Sequence, residues 1–183
     1  LAARFFRDTE RLVEEAYRNV LVTHSEPYVA SQSLAYTLAV AAFINGTSIQ
    51  DIRTHMRRLS ETRLVREFIP SWDILNQVSN GAVSSTVDLD AHSVYRMSGT
   101  NCTLGFMLPT AYYFFHRYAS DFELAMLNSV NGGGNNMAVA ALVGGLSGAL
   151  NGFSLIPERF VTGLSDYERL VGLADKVARD ATS

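Results

Sequence analysis

The stretch that most invites a chemical reading is SVNGGGNNMAVAALVGGLSGALNG, residues 129–152. Gly132, Gly133 and Gly134 run in a row, followed by Asn135, Asn136 and a long apolar run. Glycines that open a helix leave unsatisfied N–H groups at the positive end of the helix dipole, an arrangement suited to an anion or polar ligand. The alternative at the same residues is a tight turn capped by Asn135. A P-loop is excluded, because no Lys-Ser or Lys-Thr follows and no strand pattern precedes. The missing strand excludes a dinucleotide fingerprint as well.

Other residues with chemical potential are dispersed. His24 stands in THSEP, where a helix-start histidine bonds to Glu26 or to the backbone. Asp88, Asp90 and His92 in VDLDAH form the one local acidic–histidine cluster, and the bland reading, decoration of a loop, outweighs a metal site. His55, His92 and His116 are far apart and show no ligand spacing, and Cys102 has no identifiable partner for nucleophilic chemistry. Arg53, Arg57, Arg58, Arg63 and Arg66 make one basic cluster, but Asp51, Glu61 and Glu67 lie among them, so a solvated helix face with i,i+4 pairs is expected. Tyr112, Tyr113, Phe114 and Phe115 are expected to pack the core.

The elements that must position these residues follow a helical period. Phe5, Leu12, Val13, Ala16, Tyr17 and Val20 recur at threes, fours and sevens, with Arg and Glu between them. Pro27 suits the first turn of the next helix, YVASQSLAYTLAVAAFING, which is apolar on almost all sides and should be central. Asn45-Gly46 ends it, and Ser48 with Asp51 supplies an N-cap pattern. A further helix is expected over 64–78, interrupted near Pro70, and the stretch 79–101 reads as loop with a short helix. Pro109 marks a kink or start, Ser120 a cap, and short and long helices follow Pro157 and Ser165. Eight or nine helices and no alternating strand pattern give an all-α chain, in one domain over 1–183. Gly144, Gly148 and Gly152 share one helix face with Ala140 and Ser147 beside them, so a neighbouring helix is expected to cross there at short range.

Composition bounds the function. With 48% apolar and 18% charged residues, the chain has the make-up of an ordered globular protein. A net charge of -3 argues against a general nucleic-acid binder. The single Cys102 excludes an internal disulfide and any multi-cysteine metal site, and makes a cytoplasmic location the default. The apolar run 137–150 is about 14 residues where a membrane span needs roughly 20, so a buried helix and no membrane are expected. The first twenty residues are charged throughout, unlike a secretory leader. No initiating methionine is present, which hints at a piece of a longer chain.

NSVNGGGNNMAVAALVGGLSGALNG, followed by Ile-Pro, resembles the C-terminal signature of the ADP-ribosylglycohydrolase superfamily, which includes the dinitrogenase reductase-activating glycohydrolases. There an asparagine precedes a Gly-Gly-Asp-Thr-Asp-Thr box, a small-residue helix ending in Gly-Ala-x-x-Gly, and an Ile-Pro. VTHSEPYVASQSLAYTLAVAAFING is similar to the family's Thr-His segment and central helix, and LGFMLPTAYYFFHRYASDFELAMLNSV to the stretch leading to Phe-Glu-x-Ala-Leu. The likeness runs over about residues 10 to 178. It implies a compact, orthogonal helical bundle like the C-terminal part of that fold, with no counterpart here for the N-terminal half and its Gly-Asp and Thr-Asp-Asp ligands.

The resemblance further implies Mg²⁺ or Mn²⁺ ions that position ADP-ribose and a water. In this box Asn135 falls at the first aspartate, Met137 at the second and Ala138 at the final threonine. Hard cations want anionic or carbonyl oxygens, so Asn135 is the one weak metal candidate. The expectation is therefore a relative with a degenerate metal site that binds ADP-ribose or a related ligand without efficient turnover. Its ligand residues would be His24, Gly133, Gly134, Asn135 and Asn136, and no catalytic residue is assigned. The alternatives are an active hydrolase acting on ADP-ribosylated protein once completed by an N-terminal half, and a structural protein without ligand. Self-association into a homo-oligomer is expected if part of the family fold is missing.

Overall fold

A computed structural model describes residues 1–182. Twelve α-helices and one 3-10 turn make up the described chain, without a strand. In order they are α1 (Ala2–Phe5), α2 (Thr9–Leu21), α3 (Pro27–Ile44), α4 (Ile52–Glu61), α5 (Arg63–Phe68) and α6 (Trp72–Ser84). Then come α7 (Ala91–Ser98), α8 (Leu104–Arg117), α9 (Phe122–Asn131), α10 (Asn136–Asn151), the 3-10 turn Phe153–Leu155, α11 (Glu158–Thr162) and α12 (Tyr167–Thr182).

Local chemistry explains most of the boundaries. Asp8, Glu26, Thr62, Asp90 and Asp121 each accept a backbone N–H from the first turn of the helix that follows. Pro27 opens α3, and Asn45 with Gly46 at φ +87° closes it. The count exceeds the eight or nine helices expected because short breaks divide the chain further: the Thr62 cap parts α4 from α5, and residues 69–71 part α5 from α6. The stretch expected to be largely loop is helical at both ends, since α6 runs to Ser84 and Asp90 caps α7. The cap of α9 is Asp121 rather than Ser120.

α3 is the central element. It is long and apolar enough to cross a membrane by length and composition alone, yet ten of its residues, from Ala30 to Phe43, are buried among other helices. Around it Leu12, Met56, Ile69, Leu75, Tyr112, Phe115 and Leu146 form the main core. A second cluster joins Val94, Tyr95, Tyr113 and Phe114 to Ala125, Val139 and Val143, which ties α7, α8, α9 and α10 together. All four aromatic residues of 112–115 are buried, as their run implied.

The glycines do not pack as the face of α10 predicted. Gly148 has nothing within 4 Å of where a Cβ would stand, and Gly152, at φ +77°, ends the helix. Gly144 meets the Met126 side chain, with Sδ at 3.3 Å and Cε at 3.6 Å. Close approach occurs instead at Gly145, where the Tyr36 hydroxyl comes to 2.5 Å of the Cβ position while donating to Leu142 O at 2.9 Å. It occurs again between α6 and α8, where a methyl group on Gly81 would lie 2.7 Å from Tyr112 O and 2.6 Å from His116 Cδ2. The expected face is used only in part: Ala140 and Ser147 are buried and Gly144 packs on Met126, whereas Gly148 stands open and Gly152 ends the helix.

The basic cluster also differs from expectation. None of its arginines pairs with Asp51, Glu61 or Glu67 in the described residues; the ion pairs are Arg18–Glu15, Arg117–Asp88 and Arg159–Glu123. Arg66 donates to Glu61 O at 3.0 Å and Arg57 lies over the Trp72 ring. Asp51 is already held by Ser48 Oγ at 2.7 Å.

Candidate functional site

The glycine loop is built by three neighbouring elements. α7 supplies Tyr95, whose hydroxyl donates to Ser129 O at 2.5 Å and so pins α7 to the end of α9. Burial pushes that hydroxyl up to about 12, so it stays a donor. The Tyr95 ring lies directly over Gly132, leaving no room for any side chain there. Gly133 and Gly134 then take φ values of +88° and +60°, a left-handed course that glycine adopts without steric cost. Gly134 passes close to Thr100 as well as Tyr95, which brings the loop 99–103 alongside.

Asn135 occupies the N-cap position of α10, but its side chain does not cap. Its amide instead donates to Met107 Sδ on α8 at 3.4 Å. Asn136 donates to Val130 O at 2.8 Å and closes the loop back on α9. The first-turn N–H groups of α10 therefore have no side-chain partner, which is the condition for binding an anion there. The turn reading and the ligand reading share one geometry: a tight turn is present, but Asn135 is not its cap. Met137, 83% exposed, extends into solvent beside this opening.

The predicted site residues do not all converge. Gly133, Gly134, Asn135 and Asn136 form the loop, while His24 lies at the exposed turn between α2 and α3, where its Nδ1 is 2.9 Å from Thr23 Oγ1. Glu26, expected as a partner for His24, caps α3 by accepting from Val29 N at 2.7 Å. The Asp-x-Asp-x-His cluster is split three ways. Asp88 pairs with Arg117 at 2.5 Å, and Asp90 caps α7 through Ser93, whose N–H and hydroxyl hold its carboxyl below the usual range. His92 faces the glycine loop, with Nδ1 4.0 Å from the Cβ position of Gly133.

Sequence reasoning missed His92, Tyr95, Thr100 and Met107 as neighbours of the loop. A usable signal was present in part: Asp90 three residues before Ser93 is an N-cap pattern that announces α7.

The donor set does not fit a pair of hard divalent cations. Such ions take about six oxygens, and Mg²⁺ is anchored by one or two carboxylates with water and phosphate making up the rest. At the loop Asn135 offers one neutral oxygen, Met137 a solvent-directed thioether and Ala138 nothing. No group of three or more His, Cys, Asp or Glu that suits a metal lies among the described residues.

An all-α chain that presents a glycine-rich helix start among α7, α8 and α9 is thus the class defined here. A family model described as ADP-ribosylglycohydrolase matches residues 1–183, and the chain belongs to that family. It is similar to an uncharacterized protein of Archaeoglobus fulgidus, 29% identical over 170 residues that cover 92% of this chain and 50% of the relative. The chain therefore spans about half the length of that curated relative.

Proposed function

We propose that this chain binds ADP-ribose, or a ligand sharing its diphosphate, at the Gly133–Gly134–Asn135 start of α10 without turning it over efficiently. The uncapped first turn of α10 carries the reading. Its free N–H groups, reached across glycines with no side chains to obstruct a phosphate, supply the recognition that the family's ligand requires. His92 and Thr100 stand beside the loop as additional polar contacts. His24 enters only through the Thr-His segment, as a residue of the wider cleft. The two-cation hydrolysis of the family is not expected from this loop, because its oxygen donors are reduced to Asn135.

A second reading rests on length. Since the chain matches only half of its relative, an N-terminal half would bring the missing carboxylates, and the assembled protein would hydrolyse ADP-ribosylated protein using Mg²⁺ or Mn²⁺. A cytoplasmic location, self-association, and the absence of nucleic-acid and membrane partners complete the proposal.

Calorimetric titration with ADP-ribose, with and without Mg²⁺ or Mn²⁺, separates the readings. Metal-independent binding supports the first. Binding that requires the metal sinks the degenerate-site reading and favours the hydrolase. Silence in every condition removes ADP-ribose as the ligand of this chain.

A further inference from the structure

We propose a second ligand site, for a small hydroxylated phosphate of the sugar-phosphate class, between the start of α4, the C-terminal half of α6 and the end of α8. A cavity of about 490 Å³ opens there, with Gln50, Arg53, Ser79, Ser85 and His116 among its lining residues. It is separate from the glycine loop, whose neighbours are α7, α8 near Met107, and α9.

Three features of this cavity each ask for a ligand group. Ser79 is only 6% exposed, yet its hydroxyl has no hydrogen-bond partner. A helical serine ordinarily returns its hydroxyl to a carbonyl of the preceding turn, and leaving it unpaired in the interior is unfavourable. The start of α4 is also open. Its N-cap residue Asp51 makes no side-chain cap, because that carboxylate accepts from Ser48 Oγ at 2.7 Å, and both Ile52 and Arg53 line the cavity. Arg53 forms no ion pair among the described residues.

The third feature is the His116 ring. Its Nε2 donates to Val78 O at 2.6 Å, a carbonyl that only accepts, so in the neutral ring Nδ1 is an acceptor. Burial holds this imidazole below its ordinary range and keeps it neutral. A phosphate placed against the α4 N–H groups and Arg53 would take its charge-assisted bonds there. A ligand hydroxyl would answer the Ser79 hydroxyl and the His116 acceptor. The remaining wall, Ile49, Ala82 and Val83 with their neighbours, is apolar, the usual make-up of a small-molecule cleft.

The test is an NMR titration of the full chain with glucose 6-phosphate, with glucose and inorganic phosphate as comparisons. Saturable shifts at Arg53, Ser79 and His116 are expected with the sugar phosphate. R53Q should weaken binding about tenfold or more, and S79A about three- to tenfold, with ADP-ribose binding unchanged in both. Absence of saturable shifts, shifts confined to the glycine loop, or equal binding of glucose would overturn the site. So would an S79A chain that becomes more stable while its affinity is untouched, since Ser79 would then be an unpaired core hydroxyl and nothing more.

Discussion

At Asn135 one atom separates the residue present from the aspartate of the family pattern, an amide nitrogen in place of a carboxylate oxygen. That atom is engaged here, since it donates to Met107 Sδ. An aspartate would lose this donor and gain a charge that the α10 dipole favours. The double variant N135D/M137D should therefore bind ADP-ribose in a Mg²⁺-dependent manner, whereas the parent chain should show no metal dependence; calorimetry reads both. Two histidines set a pH dependence at the same scale. Burial lowers His55, helped by Arg58, and burial also lowers His116 against the opposing pull of Val78 O. Both are below 6.5 when folded, so the unfolded chain binds more protons in the window beneath that value. Stability is then complete above 6.5 and falls as pH drops through the lowered folded values. Melting temperatures should hold above pH 6.5 and decline as pH falls below it. His116→Gln, which keeps an N–H donor but does not titrate, should flatten the decline. Asp90 acts only further into acid, below 3.8.

At the scale of elements, glycine packing is the testable matter. α6 and α8 meet at Gly81, where the His116 ring lies 2.6 Å and Tyr112 O 2.7 Å from the Cβ position, and the backbone oxygen cannot swing aside as a side-chain end would. Gly81→Ala should destabilise the fold by about 1–3 kcal/mol, as overpacking does. Gly148 lies within α10 and faces open space, so Gly148→Ala should stabilise by about 0.5–1 kcal/mol through helix propensity alone. Denaturant unfolding of the two variants separates a crossing glycine from a merely tolerated one. A result with the signs reversed would mean that α10, not α6, carries the tight crossing.

For the whole molecule the largest feature is apolar surface. α12 contains no buried residue, and with α9 and α11 it walls a groove of about 590 Å³ lined by Phe122, Met126, Phe153, Phe160 and Leu170 among others. Leu173 and Val177 continue the apolar stripe of α12 outside that groove and remain exposed. Contiguous surface of this kind favours association. Sedimentation over an about hundredfold dilution series should show concentration-dependent self-association. L173E should shift the population toward monomer with helix content unchanged. A monomer at every concentration would remove self-association from the proposed function.

Much of this protein could be read without coordinates, because the signals are local. The helical period, Pro27 at the start of α3 and Asn45-Gly46 at its end, and the apolar character that puts α3 in the core all act within a few residues of chain. The three glycines and two asparagines likewise announced a turn opening a helix. Only the tertiary structure decided what surrounds that turn. Tyr95 reaches Ser129 across 34 residues, Tyr36 reaches Leu142 across 106, and Asp88, Asp90 and His92 part company although they are neighbours in sequence. The same holds for Gly81 and Gly148, whose identical residue type says nothing about which one a neighbouring backbone approaches. Caps and periodicity are fixed by bonds within one or two turns, whereas close approach depends on which faces meet, a property of the packed assembly of helices.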